Sequence, residues 1–202
     1  ESDLDFENFI ESSLNISYHK VNSDTYLKIF DTNIVDTELK PENFDTLKSD
    51  IELNLEHEKF AFTSGFTAYE DLSKLNSDRY QFILPYYNFS KNFFDNNNFG
   101  SFDFVSLGDN ILKDTNSLRS RMINNLNIQS VNFISDKGFK NNLNYYLKNT
   151  ISAGKNNVEY DSSPEVKFSN IIEMQSSFPL IKIDENYSSY LSPKLSLRIN
   201  PS

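Results

Sequence analysis

The side chains of this chain that could do chemistry are few and scattered. Only two histidines occur, His19 and His57. Each sits at or beside the end of an alternating polar and apolar segment, without the i, i+4 or His-Glu spacing that a metal centre or a metalloprotease requires. Five glycines, Gly65, Gly100, Gly108, Gly138 and Gly154, are too dispersed to cradle a phosphate, and no Gly-x-Ser-x-Gly elbow is present. Acyl and phosphoryl transfer therefore have no support, and neither catalytic residues nor a cofactor is expected. Asp31, Asp36, Glu38, Glu42 and Asp45 form the densest acidic cluster. Such carboxylates can hold Ca²⁺ or Mg²⁺ against a phosphorylated headgroup, but EF-hand spacing is missing, and a hydrated loop accounts for them as well. The cations carry more information. Lys48, Lys59, Lys140, Lys148, Lys194 and Arg198 all fall on the polar parity of alternating segments, where they would form one charged wall able to attract anionic sugars and phosphates. Asp50, Glu52, Glu56, Asp103 and Glu173 share that parity, so cross-strand ion pairing is the competing role.

The elements that would position these residues are strands. Over residues 58–68, Phe60, Phe62, Phe66 and Ala68 alternate with Lys59, Thr63, Gly65 and Thr67, a period of two with one apolar and one polar face. Nine such segments can be drawn: 9–21, 44–56, 58–71, 79–95, 101–112, 118–134, 139–151, 167–183 and 189–199. Parity switches within two of them. One switch falls at Pro85 between Leu84 and Tyr87 and predicts a kink, at a bulge or an unpaired position, and the other, between Ile128 and Val131, predicts a bulge near Gln129 and Ser130. The fold class expected is all-β, an antiparallel meander.

Composition narrows the setting. The 202 residues are 38% hydrophobic and 24% charged, and no run approaches the ~18 apolar residues of a membrane-spanning helix. Transmembrane strands escape that test because only alternate residues meet lipid. The net charge of −10, with 19 basic residues spread among 29 acids, argues against a nucleic-acid partner. There is no cysteine, and the aromatic residues are Phe and Tyr alone. Tyr18, Tyr80, Phe89 and Tyr145 near strand ends suit an interfacial girdle. The first residue is Glu1, and Ser202 follows a strand-like run, so the chain reads as an internal fragment.

Longer connections at 22–43, 71–79, 113–117 and 152–165 alternate with shorter ones. Outer-membrane barrels have that asymmetry, with short periplasmic turns at one rim and long external loops at the other. A soluble β-sandwich has no such obligation.

Four stretches in order, LNISYHKVNSDTYLKIFDTNI over 14–34, DRYQFILPYYNFSKNF over 78–93, GFKNNLNYYLKN over 138–149 and YLSPKLSLRINP over 190–201, resemble the barrel of the lipopolysaccharide-assembly outer-membrane LptD family, also called the organic-solvent-tolerance (OstA) family. The resemblance implies a partial transmembrane barrel over 1–202 in the Gram-negative outer membrane, part of a non-enzymatic translocon that inserts lipopolysaccharide into the outer leaflet. It also implies an LptE-like plug lipoprotein and a periplasmic transport bridge as partners of the parent protein. The family's lateral gate would lie outside these residues. A generic porin-like barrel and a soluble β-sandwich binding module are the alternatives.

Overall fold

The computed structural model describes residues 2–29, 45–96, 98–184 and 187–201. The chain is all-β with large antiparallel sheets, as its period-two alternation requires. Its strands are β1 (Ser2–Asp3), β2 (Glu11–Ser17), β3 (Thr46–His57), β4 (Phe60–Asp71), β5 (Tyr80–Asn96), β6 (Gly100–Lys113), β7 (Ser117–Ser130), β8 (Phe133–Ile134), β9 (Lys140–Lys155), β10 (Glu165–Ser177), β11 (Leu180–Ile183), β12 (Ser188–Leu191) and β13 (Lys194–Ile199). Among the described residues, eleven form one sheet in the order β1-β2-β3-β4-β5-β6-β7-β9-β10-β13, with β8 added to β9, while β11 and β12 pair separately. Among the described residues, helix is confined to α1 (Tyr26–Ile29) and a 3₁₀ turn at Asn76–Arg79.

Two compact units divide the chain: Glu1–Phe89 with Ser106–Ile123 and Thr150–Val166, and Ser90–Val105 with Asn124–Asn149 and Lys167–Ser202. In the first, the register sets Glu52 opposite Asn15 and Gly65, and Asp50 opposite Ser17 and Thr67. Ile51 lies opposite Ile16 and Phe66. Directly paired residues share a face, so one face is polar and the other apolar. Burial is the reverse of that in a water-soluble sheet. Ile16, Ile51 and Phe66 are 61%, 46% and 48% exposed, whereas Ser13 and Thr67 on the polar face are 3% and 5% exposed. The second unit repeats the pattern. Glu173 pairs with Arg198 on one face and Met174 with Leu197 on the other, and Glu173 is 2% exposed while Leu197 is 59% exposed.

A conventional apolar core exists at one place only among the described residues. Leu27 of α1 packs with Leu47 and Leu72, flanked by Val21. Leu47 and Leu72 belong to the apolar parity of β3 and β4, so α1 covers that face where the strands meet the connections 18–45 and 72–79. Lys28 pairs with Asp45 at 2.5 Å beside it. Arg79 closes the same region, reaching Asp24 at 2.8 Å and Glu70 at 3.0 Å, and the Asp24 carboxylate holds the guanidinium above its ordinary range. Asp71, at the loop end of β4, accepts the Ser73 hydroxyl and N–H.

The switch expected at Pro85 is present, whereas the bulge expected near residue 130 is replaced by an end of the strand. The Tyr80 hydroxyl donates to Glu70, on the apolar parity of β4, whereas the Tyr86 hydroxyl donates to Glu52 on the polar face at 2.6 Å. The even residues of β5 therefore change sides between Tyr80 and Tyr86, around Pro85. Near residue 130 the ladder breaks outright. β7 ends at Ser130, whose hydroxyl accepts the Leu143 N–H at 2.7 Å, and pairing with β9 resumes at Phe133.

The last two expected strands need correction. The segments 167–183 and 189–199 do not run as two long strands, because β10 stops at Ser177 and β13 starts at Lys194. The connection between them is a separate hairpin of β11 and β12, entered at Pro179 and left at Pro193, residues that cannot donate to a ladder. The Phe178 N–H bonds the Pro193 carbonyl at 3.1 Å to close its neck. The alternation of long and short connections is thus incomplete, since this one is long where a short turn was expected. Of the long loops, residues 30–44 lie outside the described residues.

Two glycines let tyrosines lie across neighbouring strands. A Cβ on Gly65 would come within 2.7 Å of the Tyr86 hydroxyl, and one on Gly108 within 2.8 Å of the Tyr87 ring. Tyr87 continues over Gly108 to reach the Ser106 hydroxyl at 3.1 Å. Gly108→Ala is expected to cost about 1–3 kcal/mol by overpacking. In a Tyr87→Ala background the same change should cost less than about 0.5 kcal/mol, because the obstructing ring is gone. A double-mutant cycle of denaturant midpoints in detergent measures this.

Candidate functional site on the polar face

The polar face is built from cross-strand pairs, and its chemistry differs between the two units. In the first, Glu52 is the hub. Its carboxylate accepts the Tyr86 hydroxyl at 2.6 Å and the Asn54 amide at 3.0 Å, and Lys48 meets Asp50 at 3.4 Å. Lys48 thus occupies the polar wall as expected, with an acid beside it. Lys59 does not. It sits with Glu58 in the two-residue turn between β3 and β4, and its N–H donates to His57 Nδ1 at 3.1 Å, so it marks a turn and lines no wall. The alternation misplaced it because a two-residue turn preserves the parity count across the hairpin.

The histidines have structural roles. The His19 Nδ1 contacts the Lys48 carbonyl at 2.5 Å, and its N–H donates to Ser49 Oγ at 3.0 Å. His57 stacks on Phe60 at 4.9 Å and meets Phe9 edge-on at 5.9 Å. Phe60 also contacts Phe89 at 6.1 Å. This aromatic cluster contains Phe89 of the expected girdle, but Phe6 and Phe9, which precede β2 and contact each other at 6.2 Å, had no alternation to reveal them. Of the acidic cluster, only Asp45 lies within the described residues, and it is paired with Lys28. Among those residues no group of three metal-ligating side chains converges.

In the second unit the polar face opens into a cleft of about 620 Å³. The starts of β9 and β13 bring Lys140 and Lys194 to it, and Arg198 enters from further along β13. These three of the six expected cations meet in one place. Opposite them stands Glu173 of β10, whose Oε1 accepts Arg198 Nε and Ser196 Oγ, each at 2.7 Å. Arg198 is thereby committed to neutralising a buried carboxylate. Lys140 and Lys194 are exposed, and Glu173 is the one acid among the described residues of the lining, so these residues together carry net positive charge. Asn142 and Gln175 supply amides, and Tyr190 brings an aromatic ring from the hairpin. Cations, amides and one aromatic surface are the chemistry that recognises an acidic or phosphorylated saccharide. Lys148, the remaining expected contact, is an exposed residue of β9 and is not among the residues lining this cleft.

Sequence reasoning overlooked a further charged group in the first unit. Arg119 and Arg121 of β7 both bond Asp109 of β6, one to each carboxylate oxygen. The signal was available, since arginines two apart on a strand share a face. It was lost because the apolar residues of β6 and β7 alternate less regularly than those of β3 and β4. No family model and no curated protein matches the chain.

The buried ion pair in the cleft gives a sharp expectation. Arg198→Met should lower the unfolding midpoint in detergent more than the double change Glu173→Gln with Arg198→Met does, because the single change leaves a carboxylate buried without its counter-ion.

Proposed function

We propose that this chain forms part of the wall of a transmembrane β-barrel in the Gram-negative outer membrane, and that the wall passes lipopolysaccharide toward the outer leaflet without making or breaking bonds. The observation that carries this reading is the reversed burial, in which Ile16, Ile51, Phe66 and Leu197 are exposed while Ser13, Thr67 and Glu173 on the other face are shielded. A water-soluble domain would bear a large unfavourable hydration term for such a face, at about 25 cal/mol per Å² of apolar surface left in water. Lipid removes that term. The strands also have the required reach. β3, β4, β5, β6, β7, β9 and β10 run 12 to 17 residues, whereas about 9–11 tilted residues cross the hydrocarbon layer.

The cargo follows from the cleft. Lipopolysaccharide carries phosphate and acidic sugars, and the Lys140, Lys194 and Tyr190 lining supplies counter-charge and a stacking surface for them. The resemblance of the four sequence stretches supports the same cargo and, through the parent protein, an LptE-like plug. A soluble sandwich would require a second sheet over the apolar parity, whereas among the described residues buried apolar side chains cluster only at Leu27, Leu47 and Leu72.

The absence of tryptophan provides the test. Phe66→Trp and Leu197→Trp place a single indole on the apolar face, and Thr63→Trp and Gln175→Trp place one on the polar face. In vesicles of brominated phospholipid the first pair should be strongly quenched and the second pair little, and equal quenching of all four would refute the membrane reading. A photo-crosslinking residue at Asn142 should capture lipopolysaccharide, and Lys140→Gln with Lys194→Gln should reduce capture several-fold. Quenching as expected with no capture would retain the barrel and favour a porin-like role.

A further inference from the structure

The connection between β9 and β10, residues 156–164, does not stand away from its unit. It folds back and is pinned at three points. The Gly154 N–H donates to the Asp161 carbonyl at 2.7 Å, the Asn156 amide donates to the Asn116 carbonyl at 3.2 Å, and the Asn157 amide donates to Ser117 Oγ at 3.4 Å. Tyr160 lies against β9. A Cβ on Gly154 would lie 2.7 Å from Tyr160 Cβ, so the tyrosine rests where only glycine leaves space. The Arg119 guanidinium lies 6.0 Å from the centre of its ring.

Alternation identifies the face involved. Tyr86 points to the polar side, where it bonds Glu52, so Tyr87 points to the other side, where it meets Gly108. Asp109, the next residue after Gly108, turns back to the polar side. It accepts Arg119 on one oxygen and, on the other, Arg121 Nε at 3.3 Å and Nη2 at 3.1 Å. The loop therefore closes over the polar face with two arginines beneath it.

Two guanidinium groups share one carboxylate, so the cluster keeps one unit of positive charge. Each guanidinium has five N–H donors, and Asp109 engages a minority of them. Arg119 Nε is buried and has no hydrogen-bond partner. The acids of the loop itself, Glu159 and Asp161, are exposed, and neither forms an ion pair with the arginines. A phosphate matches the spare donors, because its oxygens accept forked guanidinium bonds and its charge exceeds that of the single carboxylate.

We propose that Arg119 and Arg121, roofed by Tyr160, form a binding site for a phosphate group, either free or carried on a saccharide. Asp109 is the internal ligand that holds the fork in place until phosphate arrives. The site stands on local geometry and does not require lipopolysaccharide to be the cargo.

Because the chain has no tryptophan, Tyr160→Trp gives a single reporter against Arg119. The full chain in detergent is titrated with inorganic phosphate, glucose 1-phosphate and glucose. Saturable emission changes are expected with the two phosphates and none with glucose. Tighter binding of glucose 1-phosphate would assign a role to the sugar, and equal binding would assign recognition to the anion alone. Arg119→Gln and Arg121→Gln should each weaken binding about tenfold, and Asp109→Asn should tighten it several-fold by freeing donors. Should either glutamine variant fail to fold, Arg119→Lys keeps the charge, loses the fork and is expected to bind several-fold more weakly. A non-saturating response, unchanged affinity in the arginine variants, or weaker binding in Asp109→Asn overturns the proposal. The last outcome is what a purely structural ion pair would give.

Discussion

The constraint on which the rest depends is that polar side chains such as Ser13, Thr67 and Glu173 are shielded while much of the apolar parity of the same strands is exposed. A sheet has two faces, and the period of two assigns each residue to one of them without appeal. In a soluble domain the apolar face would be covered and the polar face wet. Here Ser13, Thr67 and Glu173 are shielded while their apolar neighbours are exposed. Every shielded polar group then needs a partner, since an unpaired one costs more than its bond returns. The pairs Tyr86–Glu52, Lys48–Asp50 and Arg198–Glu173 meet that requirement. They are first of all the way this face is made stable, and the places where they leave charge over are where a ligand can compete.

That leftover charge is local. The acidic balance of the whole chain would disfavour an anionic cargo if charge were spread evenly. It is not. Acids of the strands are mostly consumed by hydroxyls, amides and arginines on the same face, whereas Lys140 and Lys194 face a cleft in which the one acid among the described residues, Glu173, is already committed to Arg198 and Ser196. The same logic leaves a surplus at Arg119 and Arg121. Net charge describes colloidal behaviour, and the site is decided by pairing.

Most of the sheet was legible because β3, β4, β9 and β13 alternate cleanly, and even the irregular places left a trace. Pro85 and the Ile128–Val131 interval were visible as breaks in parity, and both correspond to a change of side or of pairing. What was not legible lacked a period. Phe178, Pro179, Leu180, Ile181 and Ile183 form an apolar run that reads equally as the end of one strand or the start of another, and only the two prolines hint that a hairpin is set off there. Phe6 and Phe9 join the aromatic cluster from an irregular segment. Lys59 kept the right parity for the wrong reason. Of the site, the individual cations could be named from sequence, but which of them converge depends on strand order and register. Lys140, Lys194 and Arg198 meet because β9 and β13 both flank β10, and Lys148, on the same strand as Lys140, stays apart.

The rims show how the strand pattern ends, and why the ends carry function. Where alternation stops, the chain uses apolar residues in ordinary packing, as with Leu27, Leu47 and Leu72, or charged networks, as with Arg79 between Asp24 and Glu70. Both leave the polar face open. The 156–164 connection behaves differently, since its amides bond back to β7 and the residue just before it, and Tyr160 settles into the space that Gly154 provides. Replacing that glycine with any larger residue would push the tyrosine off the face and uncover the arginines. A single residue without a side chain thus couples the path of a loop to the charge presented beneath it.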